Sequence, residues 1–184
     1  MAFRAAVAAL PVEDLIFLDE SGVTTAMVRR YARAAGGARA VGRVPAGHWA
    51  QLTILSALSL SGLGATMTVN AATDRDVFAA YVRHVLVPTL KPGRVVVLDN
   101  LSAHKAALAR LLIEAAGCRL AFLPPYSPDF NPIEQAWSKL KTLLRGAAAR
   151  SREALEAALT TFLDQVTAAD ARGWFTGAGY ATAN

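Results

Sequence analysis

Arg94 to Asp99, RVVVLD, constrains the fold more than any other stretch of this 184-residue chain. Its run of valines and leucine is apolar on both faces, as a strand must be when helices cover both sides of its sheet. Lys91-Pro92-Gly93 turns the chain into it, and it stops at Asp99-Asn100. Beyond it, Ser102 can cap a helix running to Ala116 with Gly117 as the stop, and Arg119 to Leu123 reads as the next strand. A strand, a helix and a strand in that order build a parallel unit. The chain before and after must therefore supply the rest of a layered α/β domain.

The N-terminal half reads differently. Leu15 to Asp19 (LIFLD) is a buried strand predicted to end at Asp19-Glu20 and Gly22. Side chains alternate along a strand, so Asp19 and Glu20 face opposite sides and only one can enter a given site. Thr24 to Pro45 is the least regular part, with a strand expected around Val28 to Ala32. Gln51 to Leu60 and Ala65 to Asn70 read as a hairpin joined at Gly62-Leu63-Gly64. That Gly-x-Gly lacks a third glycine and a following helix start, which argues against a dinucleotide fingerprint. Asp74 or Thr73 caps a helix through about Val87, with Phe78, Val82 and Val85 inward, His84 an ordinary histidine and Pro88 closing it.

After the last strand, FLPPYSPDFNPIEQAWSKLK (Phe122 to Lys141) breaks at Pro124-Pro125, crosses a short polar loop and restarts as a helix. Asn131, Pro132 and Glu134 read as its N-cap, first and third positions. The helix spans 132 to about 147, with Ile133, Trp137, Leu140 and Leu144 as its buried stripe. Ser151 starts a last long helix through about Ala168, carrying Leu155, Leu159, Phe162 and Val166 inward. The tail, with Trp174, Phe175 and Tyr180, is too aromatic to be a loose end and is expected to pack on the body. The sum is one α/β domain over 1–184: a mixed sheet, antiparallel in its first strands and then parallel, flanked by helices.

The hydrophobic fraction is 54%. Charges interrupt every apolar stretch well short of a membrane span, and Ala5 to Leu10 is too short for a signal segment. Both point to a soluble protein, and the lone cysteine fits a reducing cytoplasm. The single cysteine, Cys118, excludes an internal disulfide and a cysteine-based zinc site, and is expected in the core. The net charge of +5 is carried mostly by arginine, which suits phosphate contacts and hence a polyanionic partner. Arg29, Arg30, Arg33, Arg39 and Arg43 crowd the irregular segment, forming either a solvated surface or a phosphate-binding face.

Three carboxylates stand where an open α/β sheet gathers its ligands, at the carboxyl ends of strands. Asp19 ends the first strand, Asp99 ends the clearest one, and Glu134 opens the helix after the next. Each has a plain structural alternative: a turn before Gly22, a polar strand end, and a capping box closed on the Asn131 backbone. If the two strands are parallel neighbours, the aspartates meet. At about 4 Å and an effective dielectric of 20 each carboxylate pair repels by roughly 4 kcal/mol, so the cluster calls for cations. Oxygen-only donors suit Mg²⁺ or Mn²⁺ rather than zinc. A serine–histidine–acid hydrolase is the competing class, but no Gly-x-Ser-x-Gly elbow occurs.

DESG at 19–22, VVVLDNLSAHK at 95–105 and LPPYSPDFNPIEQAWSKLK at 123–141 resemble the catalytic domain of DDE transposases, most closely the bacterial insertion sequence 630 group of the mariner superfamily. Thirty-four residues separate Asp99 from Glu134, a spacing this superfamily shares. The resemblance covers the chain from about Leu15 to the tail. It implies a ribonuclease H-like fold with Asp19, Asp99 and Glu134 as a catalytic, metal-holding triad. It also implies two Mg²⁺ or Mn²⁺ ions, cleavage at terminal inverted repeats and insertion at TA targets. Asn100 and His104 match the second motif and are expected to support the ligands. Arg29, Arg30, Arg33, Lys141 and Arg145 are the candidate DNA contacts. Relatives carry helix-turn-helix modules before this domain, for which the stretch ahead of Asp19 leaves no room. An upstream helix-turn-helix part and a homo-oligomer on nucleoid DNA are therefore expected partners. The alternative is a truncated remnant that binds DNA or a full-length transposase without cleaving.

Overall fold

Two strands distant in sequence meet at the middle of the sheet. In the computed structural model, which describes residues 10–70, 72–99 and 106–180, β1 (Leu15–Thr24) lies parallel to β4 (Val95–Leu98), in register from Leu15 opposite Val95 to Leu18 opposite Leu98. On its other edge β1 pairs antiparallel with β2 (Gln51–Ser59), which pairs antiparallel with β3 (Gly62–Val69). β5 (Arg119–Phe122) lies parallel to β4, giving the order β3-β2-β1-β4-β5. This is the mixed sheet expected, with its antiparallel part at one side and its parallel part at the other.

Helices cover both faces, which is why all four residues of β4 are buried. On one face Leu18, Leu55, Val96 and Leu98 pack with Phe78 and Val82, and with Ala109 and Ile113. The first pair comes from α1 (Arg75–Tyr81) and its continuation, and the second from α2 (Ala106–Ala115). On the other face Leu15, Phe17, Val95 and Val97 pack against α3 (Ile133–Ala147), α4 (Arg152–Gln165) and α5 (Ala168–Gly177). Cys118 is buried as expected. No described helix is long and apolar enough to cross a membrane.

Four expectations need correction. β1 does not stop at the acidic pair but runs on to Thr24, because β2 stays paired with it from Leu58 opposite Phe17 to Gln51 opposite Thr24. The hairpin turns at Leu60-Ser61, with Ser59 opposite Gly62, so the Gly-x-Gly lies inside β3. A bulge between Leu55 and Ala57, facing Ala65 at φ 46, absorbs the misfit. No strand forms around Val28 to Ala32: from Thr25 to Ala50 the described backbone is irregular apart from a short turn at Ala35–Gly37. The helix from Ser151 ends at Gln165, and Val166 is extended. Thr167 then caps a separate helix, α5.

That last helix does what the aromatic tail promised. Phe175 is fully buried and meets Phe17 edge to face at 5.3 Å, and Tyr180 lies 5.0 Å from the same ring. α1 begins at Asp74, whose side chain accepts the Val77 N–H at 2.8 Å, and its last turns widen at Val82–Leu86 and tighten at Val87–Thr89. The proposed Ser102 cap of α2 lies outside the described residues.

Candidate active site

β4 ends where β1 continues. Leu98 is opposite Leu18, so the next residues on these neighbouring parallel strands are Asp99 and Asp19. Leu15, Phe17, Val95 and Val97 face α3, whereas Leu18, Val96 and Leu98 face the opposite layer. Alternation therefore points Asp19 and Asp99 to the α3 side and Glu20 away from it. Across the antiparallel pair Asp19 is opposite Ser56, which is fully buried. The Ser56 hydroxyl lies 2.7 Å from Thr66 Oγ1 and 3.1 Å from the Gly64 carbonyl.

Glu134 arrives from the other side, in the first turn of α3. Asn131 is extended (φ −105, ψ 95) and Pro132 already helical (φ −63, ψ −23), so the chain enters the helix where the sequence signals it. The cap itself is not made. The Asn131 N–H donates to the Pro128 carbonyl at 2.9 Å, which leaves it unavailable to Glu134 and keeps the capping box open. The Glu134 N–H donates to the Asn131 main-chain carbonyl at 3.1 Å, while Asn131 Oδ1 is buried with no hydrogen-bond partner. Glu134 is exposed and lines the clefts on both sides of Asn131.

The electrostatics tie the three together. Part of Asp19 reaches solvent, yet burial pushes its carboxyl up to about 7. The backbone at Glu20 pulls it down, the negative field of Glu134 pushes it up, the Trp137 indole pulls it down, and Asp99 adds a weaker upward push. Trp137 Nε1–H donates to Asp19 Oδ2 at 3.0 Å. A carboxylate pressed by the negative fields of two others is the donor chemistry of a hard divalent cation. Among the described residues no three such side chains stand close enough to enclose one ion. The set fits a cation by charge and donor type, and ion binding would have to draw the side chains inward.

Sequence reasoning placed Trp137 only in the buried stripe. Its signal was available: a buried indole N–H is a donor with no acceptor capacity, so it needs an oxygen nearby. Here that oxygen belongs to the carboxylate on β1. The tail contributes as well, since the Tyr180 hydroxyl donates to the Phe130 carbonyl at 2.7 Å and pins the loop ahead of α3.

The candidate DNA contacts are dispersed. Arg29, Arg30 and Arg33 are exposed on the irregular segment, whose base is closed by Thr25 and Ala50 and held by Arg150 donating to the Thr25 and Met27 carbonyls. A Cβ at Gly146 would stand 4.0 Å from Arg29 Nη2, so Arg29 reaches the C-terminal turn of α3. Lys141 and Arg145 lie half-buried along that helix. Asn100 and His104 lie outside the described residues.

The sequence pattern of the family described as DDE superfamily endonuclease matches residues 14–156. No curated protein matches the chain significantly. Among solved structures, a Mos1 mariner paired-end complex with Mn superposes with a TM-score of 0.73 at 13% identity, over 96% of this chain and 55% of the other. A Mos1 transposase paired-end complex with the left transposon end gives 0.69 at 12% identity, over 96% and 54%. The catalytic domain of Mos1 mariner transposase gives 0.66 at 12%, over 96% and 80%. At such identity the likeness establishes the fold, which is the ribonuclease H-like one expected. The chain spans about half the length of the Mos1 chains in the two paired-end complexes.

Proposed function

The chain belongs to the DDE superfamily endonucleases, and from that premise we propose that it is the catalytic domain of a mariner-type transposase, cutting DNA at transposon ends and joining the ends to a target. The observation that carries this is that Asp19, Asp99 and Glu134 lie on the α3 side of the sheet, with Asp19 in the fields of the other two. Asp19 and Asp99 would present oxygens from rigid neighbouring strands, and Glu134 from a helix start that leaves it uncommitted to a cap. Together they would hold Mg²⁺ or Mn²⁺, two ions in our reading. Held there, such ions would supply charge stabilisation for an in-line displacement at a phosphodiester. Trp137 fixes the rotamer of Asp19 before any ion arrives. Water and then a DNA 3′-hydroxyl would be the attacking groups.

The Mos1 structures with Mn and with a transposon end favour a divalent cofactor and a DNA partner for this chain too. Arg29, Arg30 and Arg33, with Lys141 and Arg145 along α3, are the proposed backbone contacts. Arg29 reaches the far end of α3, the helix that carries Lys141 and Arg145. Terminal inverted repeats, a TA-containing target, a helix-turn-helix part and pairing of two copies complete the proposal, with the nucleoid as its place of action. The test incubates the protein with inverted-repeat DNA and Mn²⁺ or Mg²⁺, wild type beside Asp99→Asn. Cleavage by the wild type alone, stopped by a chelator, is expected. Cleavage that persists in the variant or in the chelator would overturn the assignment.

A further inference from the structure

At the end of the sheet opposite the carboxylates opens a cleft of about 620 Å³ that the phosphodiester chemistry leaves unused. Arg94 on its lining and Asp99 flank β4, so roughly 17 Å of strand separates them at about 3.3 Å per residue. The sheet forms the floor. Ile16 lies on β1, between two strands, yet stays half-buried because the cleft opens over it. Ala57 and Ala65 hollow the surface beside it, and Leu86 closes it. Ala65 holds φ 46 at the bulge in the pairing of β2 with β3, a strain kept only where the surroundings impose it. Three cations stand on the lining, Lys91, Arg94 and Arg172, against one acid, the exposed Glu13. Arg94 is already committed: it donates to the Glu13 main-chain carbonyl, and its Nε lies 3.9 Å from Asp14 Oδ1. Lys91 and Arg172 are exposed and have no acidic partner among the described residues. Both stand on fixed backbone. The Lys91 carbonyl accepts from Cys118 Sγ at 3.1 Å, and Arg172 lies in the second turn of the capped helix α5. The Ser59 and Ser61 hydroxyls, 2.7 Å apart at the hairpin turn, complete the polar side.

We propose that this cleft is a second binding site and takes one nucleotide unit, its phosphate at Lys91 and Arg172 and its sugar and base on the apolar floor. Two cations without acidic partners, with hydroxyls on the same lining, are donors suited to a phosphate. A bare phosphate has no use for Ile16, Ala57 and Leu86, so the ligand brings carbon surface as well as charge. Glu13 is an acceptor for an amino group on the base. The volume falls in the ordinary range of ligand clefts, room for one nucleotide and not for a duplex. The unit is either a free nucleotide or the end of a DNA strand, and the contact chemistry is the same for both. The inference goes beyond the cleavage reading, since none of the three carboxylates lines this cleft.

The probes are adenosine diphosphate, read by calorimetry beside inorganic pyrophosphate, and a duplex with a 5′-phosphorylated single-stranded overhang, read by anisotropy. A chelator is present throughout, which keeps the result independent of cleavage. The test protein is the double variant Lys91→Ala with Arg172→Ala. Both side chains are exposed, so its thermal midpoint should stay at that of the wild type. The wild type is expected to bind at least one of the two ligands, and the double variant to bind it about tenfold more weakly. Arg172→Lys, which keeps the charge, should retain most of the affinity. A loss confined to adenosine diphosphate assigns the site to a free nucleotide. A loss for the overhang, with its salt slope reduced by roughly 1.4, assigns it to a strand. Wild-type binding of neither ligand, or affinities unchanged in the double variant, would overturn the proposal. Pyrophosphate binding as tight as that of adenosine diphosphate would overturn it too, by leaving the apolar floor without a role.

Discussion

Two helices on the same face of the sheet begin with similar instructions and end in opposite states. α5 starts Thr167-Ala-Ala-Asp170, and α3 is announced by Asn131-Pro-Ile-Glu134, each a capping residue followed three positions later by an acid. At α5 the box closes: the Thr167 hydroxyl accepts the Asp170 N–H at 3.1 Å, and Asp170 accepts the Thr167 N–H at 3.0 Å. Lys139 reaches Asp170 at 2.7 Å, and Asp170 is held down at about 2, chiefly by that lysine and then by Thr167. At α3 the box stays open, Asn131 Oδ1 has no partner, and Glu134 lies exposed in the field of Asp19. The same short pattern therefore serves stability in one place and leaves a carboxylate available in the other. What differs is the proline turn ahead of α3, which takes the N–H that would have closed the box.

The largest expected contrast is in catalysis. Glu134→Gln should reduce Mn²⁺-dependent cleavage of inverted-repeat DNA to background while leaving the thermal midpoint near that of the wild type. Asp170→Asn should keep cleavage and lower the midpoint. Equal loss of cleavage in both would break the comparison.

A second prediction follows from the electrostatic load on Asp19. Its folded value lies near 7, above the ordinary 3.8, so the protonated form is favoured on folding. Metal-free stability from this group is full below about pH 4 and falls as pH rises toward 7. Asp19→Asn should therefore stabilise the metal-free protein at pH 8, by up to about 4 kcal/mol, and have little effect at pH 4. Chemical denaturation at both pH values, with a chelator present, measures it. Asp170 has the opposite sign: its lowered value supports the fold above about pH 4, and that support fades as pH falls through 2.

Trp137→Phe keeps the ring in the core and removes the donor to Asp19. It should weaken Mn²⁺ binding about tenfold, as loss of a supporting hydrogen bond to a metal ligand typically does. Calorimetry of Mn²⁺ binding without DNA reads this directly, and an unchanged affinity would leave Trp137 a packing residue only. The smallest contrast lies in the caps themselves. Thr167→Ala should cost about 1 kcal/mol, and Asn131→Ala distinctly less, because its oxygen caps nothing. Equal losses in urea denaturation would show that the α3 cap closes in solution.

Much of this was readable from residue order. The double-sided apolar run of β4 marks a central strand wherever it occurs, and the Pro-rich stretch before α3 marked both loop and helix start. The three carboxylates could be named, and the register of β1 with β4 makes neighbours of two of them. What could not be read depended on partners distant in sequence. An acidic pair looks like a strand end unless β2 is known to continue beside it through Thr24. Val166 fits the apolar stripe of the preceding helix, and only the closed box at Thr167 shows that a new helix begins. Whether Glu134 caps or stays open depends on where the Asn131 N–H points, a fact of the Pro128 turn and not of any helix propensity.

The central claim is that the open helix start at α3 frees Glu134 to complete a metal site with Asp19 and Asp99. Calorimetric titration of Mn²⁺ into wild type, Glu134→Gln and Asp170→Asn tests it most directly. The account predicts binding by the wild type and Asp170→Asn and its loss in Glu134→Gln at an unchanged thermal midpoint. Mn²⁺ binding by Glu134→Gln equal to that of the wild type would contradict it.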